Sequence, residues 1–279
     1  MNTDIDLFIE SQLPPLDAFI SIKLLFERQE ACFSRFRPKS MLSALNGGET
    51  VTDIRFADAC RLALQAHEAT DGLFNPMILP ALAEAGYDRS FDDVSAGAPR
   101  AQTIPDPRDA LRIEGDTVAL RHGALDLGGI VKGWTVDLAI ALISESYPNS
   151  FVNAGGDLRC IGSEEDADGW TVGLDDPEGN PAWKGAMRGA VATSSARKRR
   201  WQAAGGQVAH HLIDPRTGLP AQGFDQVSVW AERCWEAEVW AKAVLIGGQA
   251  GVEACQLAGH ALLSFPPAGE RPFESERRG

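Results

Sequence analysis

Ala124-Leu-Asp-Leu-Gly-Gly-Ile-Val-Lys-Gly133 reads as a short strand, a two-glycine turn and the opening of a helix that runs over about Ile130 to Ser144. What flanks this unit decides the fold class. Upstream, Thr117–Arg121 is a second short strand. Downstream, Phe151–Ala154 and Leu158–Ile161 are strand-like runs separated by Gly155-Gly156, with further strands expected at Trp170–Leu174, Ala186–Thr193, Val208–Ile213 and Val227–Ala231. A helix over Trp235 to Ile246, a short helix and the strand Ala261–Phe265 close the pattern. The first third is helical instead. Leu16, Phe19, Ile20, Leu24, Cys32 and Phe36 recur mostly at helical spacing, and Thr52 caps a second helix through Phe56, Ala59, Ala63 and Ala66 that stops near Asp71-Gly72. Gly86 to Asp109, rich in Asp, Pro, Gly and Ser, is a long surface connection between the two regions. Strands and helices mix without a regular βαβ alternation, so the fold class is α+β. The expected organisation is a flexible N-terminus over 1–15, one domain over 16–267 and a flexible polar tail over 268–279.

The 279 residues suffice for a substantial core. A net charge of −13 argues against general nucleic-acid binding, which needs a dispersed basic surface to neutralise phosphates. No apolar run approaches the roughly 20 residues that span a bilayer, so membrane insertion is not expected. Met1 to Glu10 is acidic and lacks the basic start and apolar core of a secretion signal. The five cysteines are scattered, without a CxxC pair, as suits free thiols in a reducing compartment. A cytoplasmic location is the expectation.

Five segments can carry chemistry. In the opening stretch, glycines let a backbone approach a ligand, the helix start attracts phosphate oxygens and Lys132 adds a point charge. Asp126 can accept hydrogen bonds from a ribose or a ring edge. Alone, the segment is equally a plain strand–turn–helix, and its spacing is neither that of a Walker loop nor that of a dinucleotide fingerprint. Asn153-Ala-Gly-Gly-Asp157 marks a bulge or a close backbone approach. In His210-His-Leu-Ile-Asp-Pro-Arg-Thr-Gly-Leu-Pro220, strand alternation puts His211 and Ile213 on one face and His210 and Leu212 on the other, before a tight turn. A histidine there is either a general base or a hydrogen-bonded core residue. Thr193-Ser-Ser-Ala-Arg-Lys-Arg-Arg-Trp201 is the strongly basic patch of an acidic chain, which steers anions or is simply a solvated face. Glu238 and Lys242 stand one helical turn apart in the order that favours an ion pair.

In this order the segments resemble the FAD:protein FMN transferase family, the ApbE type. The matching stretches are Phe33-Ser-Arg-Phe-Arg-Pro-Lys-Ser-Met-Leu-Ser-Ala-Leu-Asn46, Thr70-Asp-Gly-Leu-Phe-Asn-Pro76, Asp126–Asp137, Asn153–Asp157, Thr193-Ser194 and His211–Pro220. The resemblance implies a T-fold-like ApbE architecture of mixed and antiparallel sheets with packed helices. It implies FAD as substrate, FMN passed to a Ser or Thr hydroxyl of an acceptor flavoprotein, and AMP released, with Mg2+ on the pyrophosphate. By the same resemblance, Phe36, Leu73, Phe74, Asn75, Asp126, Lys132, Thr193 and Ser194 would bind FAD. His211 would deprotonate the acceptor hydroxyl, Asp214 would orient that region, and the Gly129 carbonyl and Glu238 would face the metal.

Three departures stand out. The family's Met-Gly-Thr segment does not precede Phe36, and its Phe-Asp-Pro is Phe74-Asn75-Pro76 here. The helix that offers Asp and Thr to magnesium, four residues apart, offers Glu238 and Lys242. An ammonium has three donors and no lone pair, so it cannot ligate a cation, and a weak or absent magnesium dependence is expected. The alternatives to transfer are a non-catalytic FAD-binding or flavin-supplying protein, and an FAD pyrophosphatase giving FMN and AMP.

Overall fold

Seven antiparallel strands form the main sheet, and they lie side by side in the order in which the chain makes them. They are β1 (Ile5–Ile9), β2 (Ser150–Ala154), β3 (Asp157–Ile161), β4 (Gly189–Ser195), β5 (Gln226–Ala231), β6 (Ala261–Phe265) and β7 (Phe273–Glu274). The computed structural model describes residues 3–94, 96–165, 167–206, 208–267 and 272–275. Four longer helices pack with the sheet or with one another: α1 (Leu16–Phe33), α2 (Ile54–Ala69), α3 (Val131–Ile143) and α4 (Cys234–Gly247). The α+β class and the antiparallel sheet agree with the expectation. Among the described residues no helix is long and apolar enough to cross a membrane.

Described residues near both chain ends join the main sheet. Ile5–Ile9, inside the segment expected to be flexible, pairs with β2 in the register Leu7↔Val152. Its alternation turns Ile5, Leu7 and Ile9 inward, while exposed Phe8 meets Phe151 edge-on at 5.5 Å. In the expected tail, Phe273–Glu274 pairs with Leu263 and Ser264. Residues 268–271 and 276–279 lie outside the described residues.

Four local expectations are corrected. Thr52 does not cap α2; it lies in the short strand Val51–Thr52, and Asp53 caps the helix by accepting the Phe56 N–H at 3.0 Å. Ala124–Leu127 joins no sheet, because the Asn46 side chain takes the place of a neighbouring strand. Its Oδ1 accepts the Leu125 N–H at 2.8 Å, and its Nδ2 donates to the Leu125 carbonyl at 2.9 Å. The run 186–193 divides at Arg188: Met187 ends one strand and Gly189, with φ +87°, starts β4. The run 208–213 breaks after His210, whose Nδ1 accepts the Leu212 N–H at 3.3 Å. His211 therefore sits at a bend, and the alternation argument for the His211–Ile213 face does not apply.

The contact that positions the site is between α3 and α4. Gly133 lets them touch, since a Cβ there would lie 2.7 Å from the Cys234 carbonyl oxygen. Arg233 provides no side-chain cap for α4. Asp137 of α3 does so across the interface, accepting the Cys234 and Trp235 N–H groups at 3.0 Å each. Arg159 completes its coordination at 2.8 Å. Burial pushes the Asp137 carboxyl above the ordinary range, against the pull of these donors. All five cysteines are buried free thiols, and burial raises Cys60 to about 12.

Candidate active site

A cleft of about 660 Å³ opens where the α1–Arg37 turn, the Thr70–Pro76 loop, the start of α3, β4, the His211 bend and α4 converge. That volume is in the range of small-molecule sites. Each wall has a local cause. The Thr70 hydroxyl donates to the Ala66 carbonyl at 2.8 Å and accepts the Phe74 N–H at 3.0 Å, which folds the loop back over the end of α2. A buried His67 nitrogen meets the Phe74 carbonyl at 2.9 Å and fixes the same turn. Asn75 uses both ends of its amide on backbone, taking the Met77 N–H at 2.8 Å and donating to Pro105 at 3.0 Å. Leu73 and Phe74 are thereby turned to the cleft. The Asp126 N–H donates to the Pro76 carbonyl at 2.8 Å and joins this loop to the glycine turn.

Phe36, Leu73, Phe74, Asn75, Asp126, Gly129, Lys132, Thr193, Ser194, His211 and Glu238 all line this one cleft, and Lys242 lines it with them. Asp214 does not. Its carboxylate is held by the Arg216 guanidinium at 2.9 and 2.8 Å, and its carbonyl accepts the Gly218 N–H, so it organises the turn beyond the bend. The Thr193 hydroxyl meets that of Ser228 at 2.8 Å.

Two lysines face two buried acids. Lys132 Nζ lies 2.7 Å from Asp157 and donates to the Ala154 carbonyl at 3.2 Å. Burial opposes its charge, but Asp157 and then Glu238 outweigh burial and hold its pKa above the ordinary lysine value. Glu238, 1% exposed, accepts the Gly133 N–H at 2.8 Å on Oε2 and the Lys242 ammonium at 3.0 Å on Oε1. Burial pushes its carboxyl up, against the Lys242 charge.

The two histidines divide the roles that their sequence left open. His210 is a core residue: Nε2 meets the Ala221 carbonyl at 2.9 Å and Nδ1 accepts the Leu212 N–H. His211 lines the cleft, with Nδ1 buried and without a hydrogen-bond partner. Burial drives its pKa well below the ordinary imidazole value, Arg199, His210 and Lys242 add to this, and a hydrogen bond to the Arg199 backbone opposes it. Its ring is neutral at neutral pH.

Sequence reading overlooked Arg35, although it stands inside a matching stretch. Its Nε donates to Asp126 Oδ2 at 2.7 Å, and its guanidinium carbon lies 4.2 Å from the Phe36 ring centroid and 4.6 Å from that of Tyr87. The other Asp126 oxygen accepts the Gly128 N–H at 2.7 Å. Arg35 Nη2 is buried at the cleft without a partner. An arginine following Ser34 carries no periodicity signal, since its role depends on Asp126 and Tyr87. The basic patch splits: Arg197 pairs with Asp225 at 2.6 Å and Glu178 at 2.9 Å, while Lys198 and Arg199 line the cleft. The lining holds six Lys and Arg against four Asp and Glu, in a chain whose net charge is −13. The cleft is thus built for an anion.

The donors do not suit magnesium, which demands near-octahedral oxygen coordination. Both Glu238 oxygens are engaged, and the Lys242 stem lies against Gly129, 3.3 Å from where a Cβ there would stand. Among the described residues no group of three or more His, Cys, Asp or Glu could hold a metal ion.

Comparison with known proteins accords with this arrangement. The model of the ApbE family matches residues 1–262. A Treponema pallidum protein named FAD:protein FMN transferase is 30% identical over 252 residues, covering 80% of this chain and 69% of its own. A Chlamydia muridarum protein of the same name is 24% identical, covering 80% and 73%. The crystal structure of the ApbE protein of Thermotoga maritima superposes with a TM-score of 0.87 at 25% identity, covering 98% of this chain and 94% of its own. The flavin transferase ApbE of Vibrio cholerae, at 21% identity and a TM-score of 0.80, shares the fold over 99% and 94%. The chain belongs to the ApbE family.

Proposed function

We propose that the chain forms a single FAD-binding domain, with the strands on either side of residues 16–267 joined to its sheet, that transfers FMN from FAD to a Ser or Thr hydroxyl of an acceptor flavoprotein and releases AMP. The observation that carries this reading is a partner-free His211 Nδ1 in the same cleft as Lys132, Lys198, Arg199 and Lys242. The names of the relatives support the same reaction.

Phe36, Leu73 and Phe74 offer apolar surface to the flavin end, and Asp126, fixed by Arg35 and Gly128, offers a carboxylate to a donor on the ligand. The cations hold the pyrophosphate. His211 Nδ1 takes the proton of the acceptor hydroxyl as its oxygen bonds to the FMN phosphorus. The bond from that phosphorus to the bridging oxygen breaks, and AMP leaves with the bridging oxygen and the electron pair. The lysines and Arg199 stabilise charge that grows on the phosphoryl oxygens. Asp214 acts through the turn it organises, as a positioning residue. Nothing in this sequence of events calls on a metal. The buried reduced cysteines favour a cytoplasmic setting.

Mass spectrometry of a candidate acceptor domain, incubated with the protein and FAD, tests the reading. A gain of one FMN is transfer, free FMN with AMP is hydrolysis, and no product is binding alone. His211→Ala should lower transfer by about 10²–10⁴-fold while leaving FAD affinity close to wild type. Persistent transfer in that variant would remove His211 from the mechanism.

A further inference from the structure

We infer that the Lys242 ammonium is the resident cation of this cleft, occupying the place of a divalent ion, so that FAD is bound and its phosphoryl group transferred without a metal. The inference deepens the proposed transfer reading and rests on it. Lys242 follows Glu238 by one turn of α4, and its side chain is 16% exposed beside a carboxylate that is 1% exposed. Nζ donates to Glu238 Oε1 at 3.0 Å and approaches the Glu238 carbonyl at 3.4 Å. The opposite carboxylate oxygen holds the Gly133 N–H of α3 at 2.8 Å. Glu238 therefore has a fixed orientation and a fixed cation.

A magnesium ion at this point would have to share a Glu238 oxygen that already accepts Gly133 or Lys242 and stand beside the ammonium, whose charge repels it. The Lys242 stem also covers Gly129, the residue whose carbonyl would complete such a site. An ammonium needs no such rearrangement. It has three donors: the Glu238 carboxylate and carbonyl take two, and the third is available to a phosphoryl oxygen. Across the cleft Lys132 is mounted in the same manner on Asp157 at 2.7 Å. Two lysines, Lys132 in the first turn of α3 and Lys242 within α4, each seated on a buried acid, can offer a pyrophosphate one positive charge for each phosphate.

The test uses the purified full chain with FAD, MgCl2, MnCl2 and EDTA. Intrinsic flavin fluorescence should give the same FAD affinity in EDTA and in excess Mg2+, within about twofold, and Mn2+ EPR should show no tight site on the flavin-free protein. Lys242→Met should weaken FAD binding in EDTA by about tenfold or more, the usual worth of a charge-assisted hydrogen bond, with no recovery in Mg2+. Lys242→Thr should show the same loss but regain affinity with Mg2+, because removal of the ammonium frees a Glu238 oxygen and the new hydroxyl adds a second. Circular dichroism establishes that both variants are folded, and the methionine variant, which frees the same carboxylate without supplying a hydroxyl, makes the rescue specific to the exchange. The inference is overturned if wild-type FAD affinity falls more than about tenfold in EDTA, if the flavin-free wild type binds Mn2+ tightly, or if Lys242→Met binds FAD as the wild type does. These readouts need no acceptor. A wild type that binds FAD without metal yet modifies no acceptor refutes the transfer reading and leaves the cation assignment standing.

Discussion

Replacing Arg35 with methionine probes a contact that serves the fold and the cleft together. The Arg35 and Asp126 side chains are 8% and 13% exposed and meet at 2.7 Å. Removing one member of a buried pair costs about 3–5 kcal/mol when the remaining charge is left uncompensated. Asp126 keeps the Gly128 N–H at 2.7 Å and borders an open cleft, so its share falls to about 2 kcal/mol. Loss of the cation from the faces of Phe36 and Tyr87 adds about 1 kcal/mol. Methionine refills most of the aliphatic stem, so no large cavity term arises. The total of about 3 kcal/mol corresponds to a melting temperature lower by roughly 6–12 °C for a chain of this size. Because a stranded Asp126 charge causes most of the loss, Arg35→Met with Asp126→Asn should be more stable than the sum of the single variants by about 1–2 kcal/mol. Urea titrations of the four proteins measure this. Additivity within about 0.5 kcal/mol would refute the reasoning, because it would mean the pair is not coupled.

The His211 imidazole is held below its ordinary value of 6.5, first by burial and then by Arg199, His210 and Lys242. The acid limb of a kcat/KM profile should therefore lie below 6.5; a limb at or above that value contradicts a buried neutral base. For stability the sign is that of a depressed base: the unfolded chain takes up the proton first, so this contribution is present above 6.5 and is lost as pH falls toward the folded value. Gly133→Ala would place a Cβ 2.7 Å from the Cys234 carbonyl and 2.9 Å from the Trp235 Cα, both backbone atoms that cannot rotate away. A loss of about 1–3 kcal/mol is expected in thermal melts, and a variant as stable as the wild type would mean that the helices are not in contact there.

Local signals made α3, α4 and the strands β2, β3, β5 and β6 legible to within a few residues, because apolar patterning reports burial along an element. Long-range substitution was not legible. Ala124–Leu127 has a strand's pattern, but Asn46, 79 residues from Leu125, supplies the hydrogen bonds that a strand would have made. The cap of α4 was hidden for the same reason, since Asp137 lies 97 residues from Cys234 and looks like an ordinary polar position on α3. The histidines show the limit most clearly. Their identical chemistry and adjacent positions gave, apart from the family resemblance, no basis for choosing between them, and the break after His210 turns one to the core and the other to the cleft. The family's motif order brought most of the candidate residues to one place, whereas Arg35 gained its ion pair through Asp126, distant in sequence.

The acid that joins α3 to α4 also explains how an acidic chain maintains a cationic cleft. Glu238 engages the Gly133 N–H with one oxygen and Lys242 with the other, so the register of the two helices fixes the position of the ammonium. Lys132 is only one residue from Gly133 and is stabilised in its charged form by Asp157 and by the same Glu238. The buried acids therefore do not cancel the cleft's attraction for phosphate. They keep Lys132 charged in a partly dry site, and they hold both lysines where rotamer entropy would otherwise scatter them. Asp137, one turn beyond Gly133 on α3, locks the same helix pair by capping α4. The interface between α3 and α4 is accordingly a single device, in which the close approach allowed by Gly133, the cap from Asp137 and the clamp from Glu238 set the spacing of two positive charges.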